Sequence, residues 1–260
     1  MRKICIINQK GGVAKTTTAV NLAAGLSRED KKVLVVDLDP QGNVSSCLGQ
    51  TDGKDMHDLL SENAEPGECI RHLAKNFDIL PSNEKLLETE RAMIREGKRS
   101  LLKEKLDKVD GYDYIIVDCP PSLGMLSNNA LIYADEAIIP STTDILSIEA
   151  LRKTVLVIQA LNESGNEIII SKIVPTMFDK RNKICVECLK QIQAEFYEIV
   201  SEPIRVNSKL RECPKSNKSI FAYDKSSRGA EDYGKLVRSV VHDEAKVSKM
   251  SAMIKVKVKE

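Results

Sequence analysis

Tryptophan is absent from this 260-residue chain, aromatic residues make up only 4% of it, and there are three histidines. His57, His72 and His242 stand far apart and in no ligand spacing, so a histidine-built metal centre is not indicated. No apolar run approaches the ~18 to 20 residues that span a bilayer, and the four apolar residues after Lys3 stop at Asn8. A membrane span and a secretory leader are therefore not expected. Neither sign of charge is in excess, with 39 Lys and Arg against 38 Asp and Glu, which argues against a globally basic nucleic-acid binder. The seven cysteines (Cys5, Cys47, Cys69, Cys119, Cys185, Cys188 and Cys213) are odd in number, scattered and partly inside apolar runs, unlike a secreted disulfide framework. A soluble protein of the reducing cytoplasm is the expectation, and no internal repeat or low-complexity linker divides the chain.

What is present is a 42% hydrophobic chain long enough to build a substantial core. Short β-branched runs at Ile4–Asn8, Val33–Asp37, Phe77–Leu80, Tyr114–Asp118, Glu136–Ile139, Ile168–Val174 and Tyr197–Ser201 read as strands. Several are apolar at consecutive positions, as in Ile115-Ile116-Val117, which predicts burial on both faces of a largely parallel sheet. Helical patterns alternate with them over Thr16–Arg28, Leu86–Val109, Ile148–Leu161 and Val186–Phe196. Gln50–Pro66 is polar and reads as a loop carrying one short helix, Met56–Ser61. The alternation predicts an α/β fold: a doubly wound, mostly parallel sheet flanked by helices.

After the first strand comes Lys10-Gly11-Gly12-Val13-Ala14-Lys15-Thr16-Thr17, and a helical pattern follows at once. Small residues there let successive N–H groups converge on phosphate oxygens, and the helix N-terminus adds its positive dipole end. Lys15 can oppose the β- and γ-phosphate charge, and the Thr16 hydroxyl can ligate Mg2+. The general pattern G-x-x-x-x-G-K-[ST] is not met, because Gln9 and Ala14 stand at its two glycine positions. If the loop needs a positive φ at Ala14, its methyl group is a strain.

Two carboxylate segments follow. Val33-Leu34-Val35-Val36-Asp37-Leu38-Asp39-Pro40-Gln41-Gly42-Asn43 sets two acids at the C-terminal end of a strand, where open α/β sheets bind ligands. On an extended segment Asp37 and Asp39 face the same way, so that one supports the other. Tyr114-Ile115-Ile116-Val117-Asp118-Cys119-Pro120-Pro121-Ser122 is an apolar strand ending in an acid.

Residues 10–17 resemble the deviant Walker A motif K-G-G-x-x-K-[ST] of the ParA/MinD ATPases, a SIMIBI-type P-loop NTPase group, with Ala14 where most members have glycine. D-L-D-P-Q-G-N is similar to that family's second signature, and the strand ending at Asp118 resembles its Walker B strand. The resemblance implies an ATPase with ATP and Mg2+ as cofactors. Lys10 would reach across an ATP-sandwiched homodimer, Asp39 would orient the attacking water and contact the Mg2+ shell, and Asp118 would hold the Mg2+ through water. Pro175-Thr176-Met177-Phe178-Asp179 looks like the family's adenine-side T-M-[YF]-D stretch. Ile204–Pro214 resembles I-P-R-N-x-[RK]-L-S-E-A-P, and Ser227-Arg228-Gly229-Ala230-Glu231 matches S-R-G-A-E. These endings are characteristic of Soj-type ParA proteins. They imply Met177 and Asn207 on the adenine side, although Arg205 and Val206 replace Pro and Arg.

The expected organisation is one ATPase domain over 1–245 and a basic tail over 246–260. The expected cycle binds nonspecific double-stranded DNA as an ATP dimer in chromosome or plasmid segregation, and a ParB-like or other adaptor protein stimulates the hydrolysis that ends it. That places the protein in the cytoplasm, on the nucleoid. Residues 1–171 carry 20 basic and 26 acidic groups and residues 172–260 carry 19 and 12, leaving −6 and +7, so the C-terminal part suits an anionic partner. Arg181, Lys209, Lys215 and Lys218 are the candidate DNA contacts, the first two by family position. Two alternatives are an iron–sulfur cluster carrier, for which Cys185-x-x-Cys188 would need a second copy to complete four ligands, and a MinD-like membrane-positioning ATPase. The first is opposed by the helical pattern around the cysteines. The second is opposed by the tail, where Ile254–Lys259 alternates with period two and lacks the bulky face of a membrane-binding helix, so no membrane is expected.

Overall fold

Strands that are apolar at every position must be covered on both faces, and a seven-stranded sheet with helices on either side does this here. The computed structural model describes residues 1–62 and 64–243. Its strands are β1 (Arg2–Ile6), β2 (Val33–Asp37), β3 (Arg71–Ala74), β4 (Phe77–Leu80), β5 (Tyr114–Asp118), β6 (Glu136–Thr142) and β7 (Ile169–Thr176), in the order β3-β4-β2-β5-β1-β6-β7. All neighbours pair in parallel except β3 and β4. The expected doubly wound architecture is therefore what forms.

Alternate residues of each strand serve opposite faces. Cys5, Leu34, Val36, Ile115 and Val117 join the core under the helices Met125–Tyr133 and Ile145–Glu163. Ile4, Ile6, Val33, Val35 and Ile116 join the core under Lys15–Arg28 and Arg228–His242. These last two helices pack so closely that a Cβ at Gly25 would collide with the Val237 side chain. The hydroxyls of Thr18 and Tyr233 meet between them at 3.2 Å.

Several expected elements differ. Leu86–Val109 is not one helix but two, Leu86–Glu96 and Leu101–Leu106, because Gly97 takes a φ of 66° and ends the first. Tyr197–Ser201 is a short 3-10 turn over Tyr197–Ile199, and only Val200 bridges to Ile173 of β7. The polar stretch does carry the helix Met56–Ser61, with a capping box from Asp55 and Asp58 at its start. β3 and the helices Met125–Tyr133 and Arg228–His242 add to what the hydropathy pattern predicted. The tail at 246–260, with its DNA and membrane readings, lies outside the described residues.

Candidate functional site

The C-terminal ends of β1, β2, β5 and β6 meet where the sheet order turns back on both sides of β1, which is the place a doubly wound sheet offers to a ligand. Lys10–Ala14 leaves β1 there and leads into the helix Lys15–Arg28. Gly12 has a φ of 74° and Ala14 a φ of 69°. This alternation of left-handed residues is what turns backbone N–H groups inward to cradle an anion. Ala14 thus holds a conformation that costs a non-glycine residue about 1 kcal/mol, so the strain foreseen at this position is present. The loop is tied down from several sides. Asn8 is fully buried, donates to Pro140 O at 2.8 Å and accepts from Lys10 N at 3.0 Å. Thr176 Oγ1 donates to Val13 O at 3.1 Å.

Lys15 is buried and its Nζ donates to Lys10 O at 3.2 Å. Burial lowers its pKa, and the nearby Asp118 charge opposes that shift. Thr16 Oγ1 donates to Asp118 Oδ2 at 2.6 Å, while Asp118 Oδ1 is buried with no hydrogen-bond partner. Asp118 is fully buried, and its pKa is raised by that burial and then by the charge of Asp37. A divalent cation fits this arrangement. It would supply the missing partner of Oδ1, and hydroxyl and carboxylate oxygens are the hard donors that Mg2+ prefers. Among the described residues no group of three or more His, Cys, Asp or Glu side chains forms a metal cage. A cation here would rely on phosphate oxygens for the rest of its shell, as Mg2+ commonly does.

Asp37 and Asp39 divide the labour differently from the extended-strand reading. β2 ends at Asp37, and Asp39 opens a turn closed by Gly42 N on Asp39 O at 2.9 Å. Asp37 is fully buried, accepts from Asp39 N at 3.0 Å and Val44 N at 3.0 Å, and so braces the whole Leu38–Asn43 loop. Its pKa is raised, first by burial. Asp39 accepts from Gln41 N at 3.0 Å and stands ahead of Asp37 in the loop.

Thr176–Phe178 lies alongside Ile204–Val206, through Phe178 N on Ile204 O and Val206 N on Phe178 O, both at 3.1 Å. Met177 has a φ of 53° and is 40% exposed next to the residue that holds Val13, so it borders the loop. Asn207 follows this bridge, but its Oδ1 accepts from Lys209 N at 2.8 Å and caps the helix Ser208–Glu212. The departure at Arg205 has a structural explanation, since its guanidinium bonds Asp232 at 2.6 Å and Glu231 at 2.7 Å. These pairs raise its pKa and fasten one family-like segment to the other.

Of the basic candidates, Arg181 sits in the turn after β7 and pairs with Asp179 at 2.8 Å. Lys209 pairs with Glu212 at 3.0 Å and lies 5.9 Å from the Tyr223 ring. Lys215 and Lys218 are exposed on and after the turn Cys213–Ser216, which packs against the helix holding Lys209. Cys185 and Cys188 lie on the helix Lys183–Phe196, with Cys188 turned into the core.

Asp144 and Ser147 were missed from sequence. Asp144 caps the helix Ile145–Glu163 by accepting from Ser147 N, and both side chains hold the Lys10 ammonium. An acid just before an apolar helical run is a readable cap signal, but only the pairing of β6 with β1 brings it to Lys10.

A family profile described as an AAA domain matches residues 1–171. The chromosome-partitioning ATPase Soj of Treponema pallidum (strain Nichols) is 38% identical over 245 residues, covering 92% of this chain and 97% of the relative. Among solved structures, a cobyrinic acid a,c-diamide synthase from Mycobacterium smegmatis with bound ATP analogue and magnesium is 30% identical. It has a TM-score of 0.79 and covers 94% of this chain and 95% of that one. A putative plasmid partition protein from Borrelia burgdorferi B31 bound to AMPPNP is 27% identical at a TM-score of 0.80, covering 93% of this chain and 99% of that one.

Proposed function

The chain belongs to the ParA/Soj family of partitioning ATPases, and on that premise we propose that it works as an ATP-driven dimerisation switch on DNA. ATP with Mg2+ joins two copies of the chain, and the dimer holds double-stranded DNA without sequence preference. Hydrolysis, stimulated by a ParB-like or other adaptor protein, releases it. Residues 1–245 act as one ATPase domain, and the tail at 246–260 adds positive charge for the same polyanion. Its place is the nucleoid in the cytoplasm; no described helix is long and apolar enough to cross a membrane.

The observation that carries this reading is the meeting of Lys15, Thr16 and Asp118 at the mouth of one glycine loop, with a carboxylate oxygen there left open. The N–H groups of Gly11–Thr17 cradle the phosphates, and Lys15 leaves Lys10 O to oppose their charge. Thr16 and Asp118 hold the Mg2+, with Asp39 beside them. When bound, Mg2+ neutralises charge on the phosphate oxygens. Asp39 accepts a hydrogen bond from the attacking water, whose oxygen bonds to the γ-phosphorus as the bond to the β–γ bridging oxygen breaks. ADP leaves with that electron pair, and inorganic phosphate forms. Lys10 of a second copy adds positive charge to the same phosphates, a contribution that can be worth ~10³ to 10⁵ in rate.

DNA binding compared without nucleotide, with ADP and with ATP tests the switch. Binding is expected with ATP and Mg2+ alone. Equal binding in all three states overturns the switch.

A further inference from the structure

Lys10 is fully satisfied within its own subunit. Its Nζ lies 2.8 and 3.0 Å from the two Asp144 carboxylate oxygens and 2.7 Å from Ser147 Oγ. The receiving site is itself built. Thr142 Oγ1 donates to Asp144 Oδ2 at 2.6 Å, Ser147 N donates to Asp144 Oδ1 at 3.0 Å, and the Thr142 and Ser147 hydroxyls touch. Although partial burial works against it, the hydrogen bonds from Lys10, Thr142 and Ser147 hold the Asp144 carboxyl down at about 2. The acid is therefore charged throughout the neutral range. The same residue is gripped a second time, at its main chain, by Lys15 Nζ on Lys10 O.

We propose that Asp144, with Ser147, is a positioning residue that holds Lys10 in its own subunit and so sets how much ATP is needed to form the dimer. This rests on the crossing role given to Lys10 above. A lysine cannot serve a neighbour's phosphates while its three protons point at its own helix cap. Crossing costs the two-point contact with Asp144 and the bond to Ser147. Nucleotide lowers that cost from the other end, because a phosphate that takes Lys15 also frees Lys10 O. The surroundings suit a contact that changes hands. Ile145 and Leu146, directly after the cap, are 64% and 67% exposed, so the rim of the latch is an apolar surface that a second copy of the chain can cover.

The test is a titration with AMPPNP, read as dimer by light scattering. Asp144→Asn keeps a capping oxygen but loses the charge. It should dimerise at about tenfold lower nucleotide concentration, the scale of one charge-assisted hydrogen bond. Ser147→Ala, which removes one of the Lys10 partners and leaves the fold's charge intact, should lower the threshold by about threefold. Nucleotide affinity of the monomer, measured at protein concentrations too low to dimerise, should be unchanged in both. An unchanged or raised threshold overturns the latch. Loss of the dimer in Asp144→Asn overturns it too, since Asp144 would then be needed in the dimer itself. Lys10→Ala keeps the two readings apart: if it dimerises like wild type, the crossing role fails, whatever the Asp144 variants do.

Discussion

Asp37 and Asp118 stand opposite each other in the register of β2 and β5, two fully buried carboxyls at the ends of adjacent parallel strands. Burial is the largest cause raising both pKa values, and the charge of Asp37 raises that of Asp118 further. A carboxyl raised in the folded state favours folding while protonated. That contribution is complete below the unfolded value of ~4 and is lost as pH rises through the folded one. The protein without nucleotide should therefore melt at higher temperature at pH 6 than at pH 8. Asp118→Asn should shrink that difference and raise the melting temperature at pH 8 by about 2 to 4 °C, the equivalent of about 1 kcal/mol in a chain of this size. The same variant should lose the extra stabilisation that wild type gains from Mg-ATP. A lower melting temperature at pH 8 would show that repulsion is not what the pair contributes.

Ala14→Gly tests the loop from its backbone. Ala14 holds a φ of 69° at the residue that starts the helix Lys15–Arg28. Releasing a left-handed alanine is worth about 1 kcal/mol, and glycine adopts the conformation at no steric cost. The melting temperature should rise by about 2 to 4 °C with nucleotide affinity kept or improved. A fall would mean that packing around the half-buried methyl outweighs the strain.

How far the site was legible depends on the range of the contacts. The loop Lys10–Thr17 and the strands ending in Asp37 and Asp118 were readable because strand, turn and helix chemistry there is local. β3 was not, since Arg71-His72-Leu73-Ala74 is short, lies at the edge and is only half-buried on one side. Tyr197–Ser201 has strand-forming residues, but Tyr197–Ile199 turns as a 3-10 helix at the end of the helix Lys183–Phe196, and the chain reaches the β7 edge only from Val200 onward. The helix Arg228–His242 was readable in principle, from Tyr233, Leu236, Val237 and Val240 on one face. The grip of Asp144 on Lys10 spans 134 residues, and only the sheet order creates it.

Lys15→Ala should abolish nucleotide binding in calorimetry. The ammonium is buried at the loop, and no other lysine of the Lys10–Thr17 segment points into it, because Lys10 is turned to Asp144. Retained affinity would remove the phosphate-binding assignment of residues 10–17.

Asp39→Ala should slow turnover at least tenfold and prolong the ATP dimer. Loss of a water-orienting acid harms the transition state more than the bound ground state. Asp37 would remain in place, because its own bonds run to Asp39 N and Val44 N, which the substitution keeps. Wild-type turnover would exclude Asp39 as the water-orienting residue.

The basic surface gives the last test. Arg181 is 85% exposed in its side chain and Lys209 44%, and each pairs with an acid two or three residues away. Such pairs do not withdraw these cations from DNA. An exposed ion pair is worth ~0 to 1 kcal/mol, which a phosphate can displace. Lys215 and Lys218 are exposed next to the helix that carries Lys209. On the proposed DNA surface a single subunit would offer few phosphate contacts, and a dimer would double them. Since the salt exponent grows by ~0.9 per neutralised phosphate, doubling would turn weak binding into useful binding. Arg181→Glu alone, lost on both subunits, should reduce the slope of log affinity against log salt by about 2. Arg181→Glu with Lys209→Glu places each new carboxylate beside Asp179 or Glu212 and should abolish DNA binding of the ATP dimer, measured by fluorescence anisotropy. Both positions lie outside the Lys10–Thr17 loop and the Asp39 turn, so basal ATP hydrolysis should persist. Unaltered DNA affinity in the double variant would place the DNA surface elsewhere on the molecule.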